Sequence, residues 1–340
     1  MIDIIMILYL LFICVVAAVT DWKKGKIYNK WLTFGMCPGV VLVILYYVQH
    51  PESILLFLTN LAAAFAIAIL FFALKLWGAG DSKLWLFVNF LYPTGWYVTT
   101  GTMLFPSMLL FMVIFVEAYL YLIAESLWYR FFRKEKGVEF EKIPVNADQV
   151  WNLCFSIAFL SVVYTVCAFV LKGYYESNRI FLAVVGILLT NKLVTLQIPK
   201  KKFWTVLMMA GYLIFSFWFY GGFDLKMLGL TVLLVVVTHF SLKFADKYNY
   251  EWIPTGEVKE GMILSYFAVQ QFVKSRVKGL PVATDETTKS RISAEEAAAV
   301  RRWETSKYGQ EKIMIVRYIP FAIFILIGII TYLIGVWHLK

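Results

Sequence analysis

Residues 2–19 read IDIIMILYLLFICVVAAV, and residues 20–30 follow as TDWKKGKIYNK. The first stretch carries one charge, Asp3, and its length as a helix approaches the ~30 Å thickness of a hydrocarbon core. A secretory signal would carry a basic region ahead of it and a small-residue cleavage site behind it. Neither is present, so the stretch is expected to be a first transmembrane helix. The abrupt change at Asp21 to a segment with four lysines (Lys23, Lys24, Lys26 and Lys30) marks a membrane edge.

Working outward, the same apolar density recurs at 32–48, 53–76, 84–98, 102–128, 150–171, 179–198, 203–220, 225–242 and 315–337. The expected fold class is therefore an all-α polytopic membrane protein with about ten transmembrane helices. The 84–98 span is short and contains Pro93, so a kinked or partly re-entrant helix is expected there. Composition agrees: 61% of the 340 residues are apolar, 16% are charged, and the mean hydropathy is +0.73. A soluble domain holds about 45–50% apolar and about 25% charged residues. These values exclude a disordered chain, a collagen, a disulfide scaffold and a free soluble enzyme. Cys14, Cys37, Cys154 and Cys167 lie singly in apolar stretches, with the spacing of neither a zinc site nor a disulfide framework.

The net charge is +10, and its distribution carries the topology. With the N-terminus outside, the inner segments hold 27 of the 32 Lys and Arg residues. The outer segments keep little more than Lys172, Arg179, Lys226 and Lys340, as positive-inside orientation requires. Both termini are then expected outside, and the positive charge has some affinity for membrane lipid. The expected organisation is a core over 1–130, a basic cytoplasmic loop over 131–149, additional transmembrane helices over 150–242, a small helical cytoplasmic insertion over 243–314, and a C-terminal transmembrane helix over 315–340. Within the insertion, Met262 to Lys278 suggests an amphipathic helix. Ser293 with Glu296 forms a capping box ahead of an Ala-rich helix, and 279–290 reads as loop.

Ionisable residues at membrane depth are costly and so mark function. Asp21 ends the first span. Asp81 follows the third, inside Gly78-Ala79-Gly80-Asp81-Ser82-Lys83. The charge map puts both on the inner face. Two carboxylates held close share one proton at neutral pH, and such a pair can activate a water and protonate a leaving amine without a metal. Gly78 and Gly80 permit a tight, exposed turn, and Asp81 then opens the next helix, where the dipole favours its charge. Lys83 lies one turn from Asp81, either as a loop charge or as an electrostatic partner. Glu125 is a candidate to line the same cleft, with Glu117 behind it. Gly221-Gly222-Phe223-Asp224-Leu225-Lys226 echoes the glycine motif loosely but maps to the opposite face. His50, His239 and His338 are scattered over two faces and offer no metal site. No phosphate loop, dinucleotide fingerprint or nucleic-acid module occurs.

Taken together, the two aspartate motifs resemble the type IV prepilin peptidase and archaeal preflagellin peptidase family of membrane aspartyl proteases. In that family an aspartate ending the first span is followed by a basic stretch and Ile-Pro-Asn. Here Ile27 and Asn29 match, with Tyr28 in place of the proline. The second family aspartate lies in a G-x-G-D-x-K motif, which Gly78 to Lys83 match fully. The resemblance implies catalytic roles for Asp21 and Asp81, with Gly78, Gly80, Lys83, Ile27 and Asn29 supporting the motifs. It returns more weakly at Gly261-Met262-Ile263, at Ser293-Ala-Glu-Glu and at Arg317-Tyr-Ile-Pro320-Phe321-Ala322. Spans 150–242 match nothing in it, and are expected to form a docking surface or an oligomer contact. The paired C-x-x-C cysteines of bifunctional relatives are absent, which implies a peptidase without N-methylation. The implied activity is removal of a short basic leader from a pilin-like or archaellin-like precursor at the cytoplasmic membrane face. No cofactor, metal or nucleic acid is implied. The rival readings are a polytopic transporter and an inactive assembly protein of a pilus or secretion machine.

Overall fold

The structure, a computed structural model, describes residues 1–74, 76–98, 103–132, 147–220, 222, 225–286 and 290–339. It opens with four helices, α1 (Ile2–Lys24), α2 (Asn29–Gln49), α3 (Ile54–Ala73) and α4 (Ala79–Leu91), followed by α5 (Met108–Phe132). Then come α6 (Ala147–Leu171), the one-turn α7 (Gly173–Ser177), α8 (Arg179–Thr195), α9 (Lys201–Tyr220) and α10 (Leu225–Asp246). After a mixed polar unit, α13 (Phe321–Leu339) closes the chain.

Among the described residues, seven helices are long and apolar enough to cross a membrane: α1, α2, α3, α5, α6, α10 and α13. The chain is thus a multi-pass membrane protein. The other three expected spans, 84–98, 179–198 and 203–220, fall on α4, α8 and α9, so the structure does not reproduce a count of ten. Helix α4 has 13 residues, about 20 Å, too short to cross alone. A short turn at Thr94–Trp96 follows it, and the Trp96 indole donates to Asp3 Oδ2 at 2.9 Å.

Helices α1 to α5 and α13 share one apolar core, with Leu10, Leu84, Trp85, Leu110 and Ile325 fully buried. A second, smaller cluster joins α6, α8 and α10 through Phe155, Leu160, Tyr164 and Val235. The basic loop over 131–149 lies mostly outside the described residues, and so does Asp224.

The polar insertion is not helical throughout. It holds a three-stranded antiparallel sheet of β1 (Tyr250–Pro254), β2 (Ile263–Leu264) and β3 (Lys312–Val316), in the order β1-β3-β2. Tyr250 and Ile263 both pair with Val316. The expected amphipathic helix breaks into β2, the six-residue α11 (Tyr266–Gln271) capped by Ser265, and a final tight turn. The physical reason is patterning: β2 has only two residues and β3 buries three in a row, so neither shows the period-two alternation of a half-buried strand, and β3 runs into the apolar approach to the last span. The Ser293 capping box is present, with Glu296 N–H donating to Ser293 Oγ at 3.2 Å and Ser293 N–H to Glu296 Oε2 at 2.8 Å, and it opens α12 (Ala294–Glu304). This unit has its own apolar core, built on Leu264, Phe272, Val300, Trp303 and Ile313.

Candidate active site

Helix α1 stops because Gly25 takes a left-handed φ of 59° and returns its N–H to Asp21 O at 2.6 Å. That stop fixes Asp21 in the last turn, where the side chain is 1% exposed. Its two oxygens are held from the far end of the chain. Tyr318 donates its hydroxyl to Oδ1, and Ala322 N–H donates to Oδ2 at 3.2 Å. Asp81 sits in the first turn of α4, ahead of the apolar run that begins at Leu84. The Gly78 N–H donates to its Oδ2 at 3.1 Å, so the carboxylate caps the helix it opens.

Both aspartates line one cavity of about 330 Å³, together with Lys26, Tyr28, Arg291 and Tyr318 and the backbone of Gly78 to Gly80. The motif residues explain how the two helix ends are brought together. A Cβ on Gly80 would lie 3.1 Å from Ile27 Cβ, so the glycine lets the turn close on that side chain. Lys83 Nζ donates to Asn29 Oδ1 at 2.9 Å, tying the second motif to the first. Tyr28, in the position of the family proline, lies between the Lys24 and Lys30 ammonium groups, each 5.7 Å from the ring centre.

Burial pushes the Asp81 carboxyl up to about 7, and the charge of Asp21 pushes in the same direction against the Gly78 hydrogen bond. Burial also raises the Tyr318 hydroxyl, reinforced by its bond to Asp21 and by both carboxylate charges. Tyr318 therefore stays a proton donor, and Asp81 is a carboxyl that holds its proton far above the usual carboxylate range. No cluster of metal-ligating side chains occurs among the described residues.

Glu125 does not line this cavity. It accepts from Arg317 Nη2 at 2.6 Å and from the Tyr121 hydroxyl at 3.2 Å. Glu117 has a buried Oε2 with no partner, also away from the cavity lining. Two cavity residues carried no role in the sequence reading. Tyr318 lay in a segment singled out only for family likeness, and Arg291 lay in an expected loop edge. Both are long-range contacts, and no local pattern announces them.

The fold and cavity define a multi-pass membrane protein with two carboxylates gathered at one end of its helices. Residues 8–124, about a third of the chain, match the model of the type IV leader peptidase family. The match covers most of α1, all of α2 to α4 and most of α5, including both aspartates. No curated protein and no solved structure matches the chain.

Proposed function

We propose that the protein is a membrane aspartyl endopeptidase that removes the short basic leader of a pilin-like or archaellin-like precursor at the cytoplasmic membrane face. The observation that carries this reading is the shared cavity, in which Asp21 and Asp81 meet at adjoining helix ends. One carboxylate takes a proton from water as it attacks the scissile carbonyl. The other gives its proton to the departing amine, and the peptide C–N bond breaks. The distribution of Lys and Arg supports a cytoplasmic position for this end of the bundle. The precursor has a long apolar helix behind its leader. A groove of about 820 Å³ between α2, α3 and α4 suits that helix, because it begins at Asn29 and Lys83 beside the site and continues over Leu32, Met36, Leu61 and Phe90.

The test is co-expression with a candidate precursor, reading leader removal as a mobility shift. Wild type should cleave, and Asp21→Asn and Asp81→Asn should not. Unchanged cleavage by either variant overturns the mechanism. A transporter is less well supported, since a site near the bilayer midplane is expected for one and these carboxylates lie at helix ends.

A further inference from the structure

The family match ends at residue 124, yet the candidate site is completed by Arg291 and Tyr318. One small sheet anchors the approach to both. Tyr318 lies two residues beyond β3. Arg291 forms an isolated antiparallel bridge to Ile263 of β2, and the neighbouring Ile292 exchanges backbone hydrogen bonds with Met262 O at 3.0 Å and Gly261 N–H at 2.9 Å. Since β2 pairs directly with β3, the sheet sets the spacing between Arg291 and Tyr318. The Arg291 guanidinium lies over the Tyr318 ring, 4.6 Å from its centre, and donates from Nη1 to Lys24 O at 3.2 Å. Gly25 makes this approach possible, because a Cβ there would lie 2.6 Å from Arg291 Nη1.

We propose that Tyr318 is a positioning residue for the aspartate pair and that Arg291 holds Tyr318 in place, so that the polar insertion completes the site from outside the leader-peptidase region. The Tyr318 hydroxyl and the Ala322 N–H occupy both oxygens of Asp21 as donors. Donors aimed at a carboxylate favour its ionised form. Asp21 is thereby the carboxylate that accepts the water proton, and Asp81 keeps the proton delivered to the amine. Arg291 acts on the ring by a cation–π contact, and its bond to Lys24 O pins it to the last turn of α1. The other charged or titratable groups lining the cavity are Lys26, Tyr28 and Asp81, whereas the donors to the Asp21 carboxylate are Tyr318 and Ala322.

This inference rests on the peptidase reading, and its test separates the two. Cleavage kinetics are measured on the full-length protein in detergent, with a synthetic peptide containing leader and early apolar helix, together with thermal melting. Tyr318→Phe keeps the ring beneath Arg291 and removes only the hydroxyl. It should lower kcat about tenfold, with KM changed less than twofold and melting lowered only as far as the loss of one hydrogen bond requires, so that the protein is fully folded at the assay temperature. Arg291→Met should lower kcat similarly, and Arg291→Lys, which keeps a cation over the ring, should recover most of it. The double variant Tyr318→Phe with Arg291→Met should be no slower than the slower single variant, because the two act along one path. Full kcat in Tyr318→Phe, or multiplicative losses in the double variant, would overturn the positioning role. If Asp21→Asn cleaves normally, the peptidase mechanism itself fails. A dead Asp21→Asn beside a silent Tyr318→Phe sinks only this inference.

Discussion

The helices around the aspartates and the helices of 147–246 are all rich in apolar residues but handle their polar groups differently. Around the site, polar side chains reach between elements. Asn60 of α3 donates to Asn89 of α4 at 3.1 Å and accepts from Ser107 N–H at 2.8 Å. The Trp85 indole donates to Ala64 O at 3.2 Å, and Tyr9 reaches Gly35 O at 2.9 Å. In α6, α8, α9 and α10, the hydroxyls of Ser156, Thr165, Thr190, Thr205 and Thr231 each donate to a carbonyl four residues back in the same helix. Bonds between elements occur here too: Tyr164 crosses to Leu182 O at 3.3 Å, Lys201 Nζ reaches the carbonyls of Leu193, Val194 and Leu196, and Lys202 of α9 pairs with Asp148 of α6 at 3.0 Å. A hydrogen bond within one helix positions nothing else, whereas one between helices fixes a distance. Among the described residues, the first region therefore carries a network of fully buried amide side chains between its helices, centred on Asn60 and Asn89, and the second carries more of its hydroxyl bonds within single helices.

The largest effect that would break this contrast concerns the carboxylates. Replacing Asp81 or Asp21 by Asn should lower cleavage about 10³-fold or more, since a transferable proton or its acceptor is lost. The same change in Asp81 should leave the fold intact. Ionising a carboxyl whose folded pKa is raised costs stability, and that cost accrues as pH rises from about 4 to about 7. Asp81→Asn should accordingly melt higher than wild type at pH 8 while failing to cleave. A variant that melts lower there would show that Asp81 holds the helix start more than it serves chemistry.

The next effect is on the profile of the intact enzyme. The singly protonated pair is the working state, and Asp81 gives up its proton as pH rises through about 7. Cleavage should decline above that value, measured as kcat against pH at saturating peptide. A rate that keeps climbing to pH 9 would contradict a protonated Asp81. In the groove, Met36→Trp should raise KM about tenfold with kcat little changed, because it fills space beside α4 away from the carboxylates.

How much of this was legible beforehand follows from the range of each interaction. The apolar runs and the glycine turn are local, so seven of the ten expected spans, and the turn that puts Asp81 at a helix start, could be read directly. The links Ile27–Gly80 and Asn29–Lys83 were marked by family likeness, and the geometry gives their reason: each bridges the two motifs. Arg291 and Tyr318 arrive through a sheet whose short strands do not alternate buried with exposed positions, so the period-two signal is missing. Glu125 carried the right residue type at the right depth. Its neighbour Arg317 claims it, and sequence spacing does not reveal such pairing.

The smaller effects test the contrast between the two regions in stability alone. Asn60→Leu leaves Ser107 N–H without its acceptor and Asn89 Oδ1 without that donor, in a fully buried setting. It should cost about 2 kcal/mol, read as a lower melting temperature in detergent. Thr190→Val is matched in burial, since Thr190 is also fully buried. Its hydroxyl bonds Gly186 O at 2.8 Å, but that carbonyl also receives the backbone N–H of the helix ladder. Removing the hydroxyl therefore orphans no group, and the isosteric valine fills the same space. The expected change is within about 0.5 kcal/mol. Equal losses in the two variants would mean that both regions depend on polar contacts alike, and that the 147–246 helices hold a geometry of their own.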